Sequence, residues 1–404
     1  MKNPLSADVI ARVKATVPAL TAHGDEITAA MYARLFEDEH IAALFNLANQ
    51  GKGGAQAHAL AGAVLGYARN IDNLGALGPV VERIAQKHIG FHILPEHYPY
   101  VAKALLAAIA DVLGAVATPD ILAAWGEAFW VLADILKDRE SRLRRAMEAT
   151  DGGWTGWRRF RISDRIRESD QVTTFVLHPS DGKAVITHKP GQYLTLRFAM
   201  PGNACTKRNY SISCAPNGSC YRISIKREDN GRGGSLDLHQ HANIGFEFET
   251  TPPAGDFFLA DQPPRSVVLL SGGVGLTPMV SMAETIATRH KGLECYYVHG
   301  TMNSATHAMA ERVRTLASEH AAMKVITFYS DPVAGDEIGR THDVTGMPSI
   351  DWLQNNVPLD DADIYLCGPK LFLRAFVGGL SRAGIHADRV HYEFFGPADE
   401  LLAA

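Results

Sequence analysis

Cysteine is scarce in this chain of 404 residues: there are five, Cys205, Cys214, Cys220, Cys295 and Cys367. So few, and odd in number, they make no disulfide framework, and no two stand in a CxxC pair. That excludes covalent c-type haem attachment, zinc ribbons and plant-type iron–sulfur loops, so any redox centre is held without thiolates. An excess of one charge is lacking too. With 39 Lys and Arg against 44 Asp and Glu, the net charge of −5 leaves no electrostatic footprint for a nucleic-acid backbone. No run approaches ~18 uninterrupted apolar residues, and the N-terminus mixes charges into its apolar positions, unlike the continuous apolar core of a signal peptide. A soluble, cytoplasmic protein of two or three domains is expected.

What is present changes texture twice along the chain. Residues 1–150 are rich in Ala and helical in period: Ile27, Met31 and Leu35 recur at i+4, Val101, Leu105, Ile109 and Val112 stripe a second segment, and Leu122, Trp125, Phe129, Leu132 and Leu136 a third. The pattern stops at Asp151, Gly152 and Gly153. Over 151–262 the period drops to two, as in Val172, Thr174, Val176 and in Tyr221, Ile223, Ile225, with turns at Pro190-Gly191, Pro216-Asn217-Gly218 and Asp229-Asn230-Gly231. An antiparallel β-barrel is the natural architecture. Over 263–404 short apolar runs at 267–270, 295–298, 325–328 and 364–367 alternate with helices starting near Pro278, Ala305 and Lys370. That alternation predicts an α/β domain with a parallel sheet. The fold class is therefore multidomain: all-α, then β-barrel, then α/β.

The strand over 267–270 runs into Ser271, Gly272, Gly273, Val274, Gly275, Leu276, Thr277, Pro278 and a helix. Glycines there let backbone approach a pyrophosphate, and a helix N-terminus offers unpaired N–H donors, although a plain tight turn would use the same residues. Other strands of this domain end in His299-Gly300, Tyr329-Ser330 and Cys367-Gly368-Pro369, so small and turn-forming residues gather at the carboxyl edge, where open α/β sheets bind ligands. With its GGxGxTP turn and later CGP turn this part resembles the ferredoxin reductase-like family. The resemblance implies a nicotinamide site at Gly272, Gly273, Gly275, Thr277, Pro278, Cys367, Gly368 and Pro369. It also implies FAD in the barrel, on the RxYS-type strand Arg208-Asn209-Tyr210-Ser211, with Tyr193 upstream and Gly233 and Ser235 downstream. A guanidinium suits a pyrophosphate, a phenol covers a flavin face, and a hydroxyl can bond the flavin edge. The terminal segment His391-Tyr392-Glu393-Phe394-Phe395 resembles the family's last strand, implying that Glu393 and Phe395 border the nicotinamide side of the flavin.

An all-α unit joined to a flavin reductase needs an electron acceptor, and without a thiolate set the candidates are haem or a second flavin. His88 sits in a helical turn, 32 residues beyond Gln56, enough for one helix to cross a flat ligand and another to return beneath it. Glu140 continues the otherwise apolar row Leu132, Leu136, Glu140. An acid there is costly unless paired, and a carboxylate accepting an imidazole N–H would pair it; alternatively the helix frays near Lys137-Asp138 and the acid is solvated.

The whole chain resembles the bacterial flavohaemoglobins, a globin joined to a flavin barrel and a nicotinamide domain in this order. The resemblance implies haem b on His88, with Phe45 and Lys87 at the haem, Tyr32, Gln56 and Leu60 on the distal side, and Tyr98 and Glu140 behind the proximal imidazole. It implies a nitric oxide dioxygenase that uses NAD(P)H, FAD and haem iron to convert nitric oxide and oxygen to nitrate. Alkyl hydroperoxide reduction and a haem-based gas sensor or oxygen store are the alternatives. NADH is expected over NADPH, because His299 to Ser304 after the second strand hold no Arg or Lys for a 2′-phosphate, with Arg312 and Arg314 the nearest cations. A monomer is expected, since covalently joined domains need no partner for electron transfer, and the Ala-lined distal pocket is a candidate place for a lipid.

Overall fold

A computed structural model describes residues 3–45, 55–199, 205–229 and 234–396, without the side chains of residues 55–57. The chain divides into two compact units, one built on residues up to Ala149 and one on Thr150–Gly396.

The first unit is all-α: α1 (Ala7–Ala15), α2 (Val17–Leu35), α3 (Glu39–Ala42), α4 (Ala55–Arg69), α5 (Gly78–Phe91), α6 (Tyr98–Leu113) and α7 (Pro119–Ala149). Ser6 caps α1 by accepting from the N–H of Val9, and Asp38 caps α3. The i+4 rows read from the sequence are the buried faces, with Ile27, Met31 and Leu35 packing on Leu105, Ile109 and Trp125. Inside that core Trp125 Nε1 donates to Thr16 Oγ1 at 3.2 Å and the Tyr67 hydroxyl to the Ala128 carbonyl at 2.7 Å. One stretch, Pro95–Val116, is long and apolar enough to cross a membrane by length and composition. Its Leu105, Ile109 and Leu113 belong to the helical core.

The second unit holds two sheets. The first contains β1 (Arg158–Arg167), β2 (Val172–Pro179), β3 (Tyr193–Phe198), β4 (Thr206–Ser211), β5 (Tyr221–Lys226) and, after α8 (Ser235–His241), β6 (Glu247–Thr250). Its order is β4-β3-β6-β1-β2-β5, all antiparallel. A bridge between Ile212 and Ile223 joins the two edge strands, which closes the barrel around Phe160, Phe175, Leu194, Leu196 and Tyr221.

The second sheet is parallel: β7 (Ser266–Gly272), α9 (Leu276–Arg289), β8 (Cys295–Thr301), α10 (Ala310–Glu319), β9 (Met323–Tyr329), β10 (Val344–Thr345), α11 (Ile350–Asn356), β11 (Ala362–Cys367), α12 (Lys370–Arg382) and β12 (Val390–Glu393). The order β10-β9-β8-β7-β11-β12 reverses direction of travel between β7 and β11. Such a switch point opens a crevice at the carboxyl ends of those two strands. The helix expected near Ala305 begins at Ala310 instead. Thr306 Oγ1 bonds Asn303 and Thr301, holding 303–306 in a turn, and Met309 takes φ 58° before the helix can start.

Candidate functional site

In the helical unit, α5 places His88 in its last turn and ends as His92 takes the left-handed conformation, its N–H bonding the His88 carbonyl. Helix α7 does not fray at Lys137-Asp138 but runs on to Ala149, and Glu140 is fully buried. Its Oε1 lies 2.7 Å from His88 Nδ1 and accepts from the Tyr98 hydroxyl at 2.5 Å; that hydroxyl is also 3.2 Å from Nδ1. Oε2 has no hydrogen bond among the described residues and faces the Arg144 guanidinium at 3.6 Å. Arg144, one turn beyond Glu140 and in turn bonded to the Ile93 carbonyl, was not singled out in the sequence, though an i+4 cation is its visible signal. Burial, then the Glu140 charge, holds the Tyr98 phenol well above its ordinary pKa, so it remains a donor. The approach of α5 to α7 is fixed beside this triad by Glu82, which accepts from Arg139 at 2.5 and 3.0 Å and from Gln86 at 2.9 Å. With Nδ1–H donated to a carboxylate, the ring's other nitrogen, Nε2, keeps its lone pair for a metal.

Tyr32, on α2, is half-buried, stacked on Phe36 at 5.5 Å and edge-on to Phe45 at 5.6 Å. Leu60, on α4, packs against the same core. Lys87 is exposed. The side chain of Gln56, the stretch 51–54 and Gly233 lie outside the described residues.

In the barrel, the β3–β4 register sets Tyr193 opposite Ser211 and Leu194 opposite Tyr210. Burial raises the pKa of both phenols and lowers that of the half-buried Arg208 guanidinium, a cation whose surroundings favour an anion. A Cβ on Gly234, where φ is +81°, would stand 2.9 Å from Arg208 Nε, so the glycine brings the start of α8 onto the guanidinium. Ser235 Oγ accepts from the Glu228 N–H at 3.2 Å.

The switch-point crevice gathers the remaining predicted residues. Parallel pairing aligns Ser271 with Cys367 and Cys367 with Glu393, and the charge of Glu393 is felt at both the Cys367 thiol and the Tyr193 phenol. Thus the Gly-rich turn, the Cys367-Gly368-Pro369 turn and the start of β3 converge. A Cβ on Gly275 would fall 2.2 Å from the Cys367 carbonyl oxygen, so this glycine lets the two turns meet, whereas the sequence suggested approach to a phosphate. Gly273, by contrast, faces open space: φ is +53° and a Cβ there would meet nothing within 4 Å. Thr277 Oγ1 bonds the Val274 carbonyl at 3.1 Å and fixes the turn. Phe395, at 49% exposed, stands clear of the core.

The loop after β8 carries no free-standing cation for a 2′-phosphate. Arg312 Nε donates to Glu284 at 2.9 Å and Arg314 to the Thr341 carbonyl at 2.6 Å. Burial pushes His299 well below its usual pKa and His307 down to about 4, so both rings are neutral. The Ser304 N–H meets the Asp336 carboxylate at 3.4 Å, a charge that repels phosphate.

Comparison with known proteins agrees with this anatomy. The globin family model matches residues 19–136, and the model of the oxidoreductase NAD-binding domain matches residues 269–377. The flavohemoprotein of Xylella fastidiosa (strain 9a5c) is 55% identical over 404 residues, covering 100% of both chains. The crystal structure of flavohemoglobin from Malassezia yamatoensis, with bound FAD and heme, superposes with a TM-score of 0.84 at 25% identity, over 97% of this chain and 100% of that one. The FAD/NAD binding domain of nitric oxide dioxygenase from Vibrio cholerae matches with a TM-score of 0.54 at 36% identity, over 59% of this chain and 99% of that one. Fold and site together define a globin joined to an NAD-binding oxidoreductase module. The chain belongs to the flavohemoprotein family.

Proposed function

We propose that this protein is a nitric oxide dioxygenase, which uses NAD(P)H, through FAD and haem b, to convert nitric oxide and oxygen to nitrate. The observation that carries the reading is the buried Glu140 carboxylate accepting from both Tyr98 and the His88 Nδ1–H. A gas carrier needs a neutral ligand only, whereas an imidazole held by a carboxylate donates more electron density to iron, which suits activation of oxygen. Its relationship to the flavohemoproteins and its resemblance to the Vibrio cholerae enzyme support the same activity.

The residues fit the groups this reaction requires. His88 Nε2 would hold the haem iron, its Nδ1 turned to the buried Glu140 carboxylate at 2.7 Å. Arg208, Tyr193, Tyr210, Ser211, Gly233 and Ser235 form the FAD site. Gly272, Gly273, Gly275, Thr277, Pro278 and the Cys367-Gly368-Pro369 turn form the nucleotide site, bordered by Glu393 and Phe395. When bound, flavin and haem supply the conversion of a two-electron donor into single-electron steps and the chemistry of oxygen, which side chains lack. Tyr98 and Glu140 keep the His88 ring in one tautomer. Tyr32 would offer its hydroxyl to bound oxygen with Gln56 as second donor, while Leu60 and Phe45 would exclude water and Lys87 would approach the haem.

We assign residues 1–150 to the globin domain, 151–262 to the flavin barrel and 263–404 to the nucleotide domain. The working form is a cytoplasmic monomer, a compartment that suits the free thiols at all five cysteines. A lipid in the distal pocket belongs to the same proposal. The test is an absorption spectrum of purified, cofactor-loaded protein and of His88→Ala. A Soret band extractable with acid-acetone, lost in the variant while FAD is retained, is expected; flavin absorbance without haem in the wild type would refute the reading.

A further inference from the structure

Outside the residues assigned above, one buried carboxylate ties the two sheets of the reductase unit together. Glu284 lies on α9, eight residues past the first residue of that helix and about 12 Å along it. It is 4% exposed. Oε1 accepts from Arg222 of β5 at 2.7 Å and from Arg312 of α10 at 2.9 Å, and Oε2 accepts from the backbone N–H of Ala215 at 2.8 Å. Two of those three donors belong to the barrel. Arg222 also donates to the Ser213 carbonyl, so its guanidinium spans the hairpin between β4 and β5 before reaching the helix.

The same hairpin turn is gripped by α9 at two more points. Ser281 donates to the Cys214 carbonyl at 2.6 Å and Arg289 to the Pro216 carbonyl at 3.1 Å. His188 Nε2, from the segment before β3, donates to the Cys214 carbonyl as well, at 3.0 Å. The turn from Cys214 to Pro216 therefore has its backbone groups bound to α9 in succession, and it begins three residues after Ser211, the last residue of the flavin strand. At its other end α9 starts from the nucleotide turn. One helix is fixed to the nucleotide site at its first turn and to the flavin strand's continuation along its length.

A carboxylate buried between two arginines holds geometry more than it adds stability. Hydride transfer requires geometry, because donor carbon and acceptor nitrogen react only at near-contact, and a displacement of about 1 Å costs on the order of a hundredfold. We propose that Glu284, through Arg222 and the Ala215 N–H, is the positioning residue that sets the nicotinamide against the flavin. The proposal rests on the reading of this unit as an FAD and NAD(P)H module. In the step it serves, the C–H bond of the reduced nicotinamide breaks with its electron pair and an N–H bond forms on the flavin, so the nucleotide is oxidised and the flavin reduced.

The test uses the full-length, haem- and FAD-loaded protein in four forms: wild type, Glu284→Gln, Arg222→Gln and Arg312→Gln. Flavin reduction is followed by stopped flow over a range of NADH concentrations, which separates the limiting rate from the apparent Kd. Hydrogen exchange of the peptide spanning 212–222 is measured on the same proteins. Glu284→Gln and Arg222→Gln are expected to lower the limiting rate about tenfold or more, with FAD content and the apparent Kd for NADH unchanged and exchange in the turn accelerated. Arg312→Gln touches the same carboxylate from within the nucleotide domain and is expected to keep the wild-type rate. If Glu284→Gln fails to load FAD, Ser281→Ala, which removes one bond of the same grip, is expected to show a smaller slowing with the same unchanged Kd. Faster exchange at an unaltered limiting rate would overturn the positioning role, as would an equal slowing in all three variants. A wild-type flavin that NADH does not reduce would instead overturn the functional reading beneath it.

Discussion

Replacing Glu140 by Gln changes one oxygen for an NH2 group and removes the charge behind His88 with little change of shape. In the native site Oε1 accepts from the Tyr98 hydroxyl at 2.5 Å and from His88 Nδ1 at 2.7 Å, in a position with no exposure to solvent. Hydrogen bonds to a charged partner contribute roughly 1.5–3 kcal/mol against roughly 0.5–1.5 for neutral ones, so neutralising the acceptor weakens the one bond that holds the imidazole by about 1–1.5 kcal/mol. If most of that difference is expressed when electron density is drawn toward oxygen, the haem step slows by roughly five- to tenfold. Two stopped-flow measurements on Glu140→Gln separate the effects: flavin reduction by NADH is expected at the wild-type rate, and nitrate formation from nitric oxide is expected to slow. A lowered iron–histidine stretching frequency would report the weaker imidazole directly. Equal slowing of both rates would show that Glu140 acts through the fold, and an unchanged nitrate rate would refute the proximal role.

Tyr32→Phe removes one hydroxyl from the half-buried aromatic group on α2, and oxygen dissociation is expected to accelerate about tenfold, the value of a hydrogen bond of roughly 1.5 kcal/mol; an unchanged off-rate measured by flash photolysis would move the donor role to Gln56. NADH is expected to exceed NADPH in kcat/KM by at least about tenfold, since Arg312 and Arg314 are bonded elsewhere and Asp336 faces the loop, and Met302→Arg is expected to narrow the ratio; equal efficiency would refute this account of the loop. Burial pushes His188 down from 6.5 to about 4, so the unfolded chain takes up a proton before the folded one: stability of the reductase unit is fully present above pH 6.5 and is lost as pH falls toward 4, by about 3 kcal/mol. His188→Gln keeps an N–H for the Cys214 carbonyl, and its thermal midpoint is expected to fall less steeply than the wild type's over that range; parallel curves would refute the assignment.

Periodicity carried most of the architecture, because a helix face at i+4 and a strand face at i+2 are local consequences of backbone geometry. The all-α, barrel and parallel-sheet textures are therefore visible in short windows, and so is Glu140, an acid on the apolar row Leu132, Leu136. What the windows do not contain is long-range pairing. The two residues of β10 owe their pairing to β9, and α11 is short and capped by Ser349, too little sequence for a period. The start of α10 moved because Thr306 and Asn303 close a turn whose bonds outcompete the helix there. The flavin and nucleotide motifs were legible as strings, but the reason for Gly275 was not: the constraint comes from the Cys367 carbonyl, 92 residues away in the chain. Arg312 shows the same limit from the other side, since its partner Glu284 decides whether it is available to a phosphate.

The most direct test of the central claim is an anaerobic solution of the NADH-reduced, haem- and FAD-loaded protein mixed with oxygen and nitric oxide, with nitrate, nitrite and NADH oxidation measured together. The account predicts rapid catalytic formation of nitrate that depends on NADH and is abolished in His88→Ala. A protein that binds oxygen but turns over no nitric oxide, or that consumes NADH without forming nitrate, would contradict it.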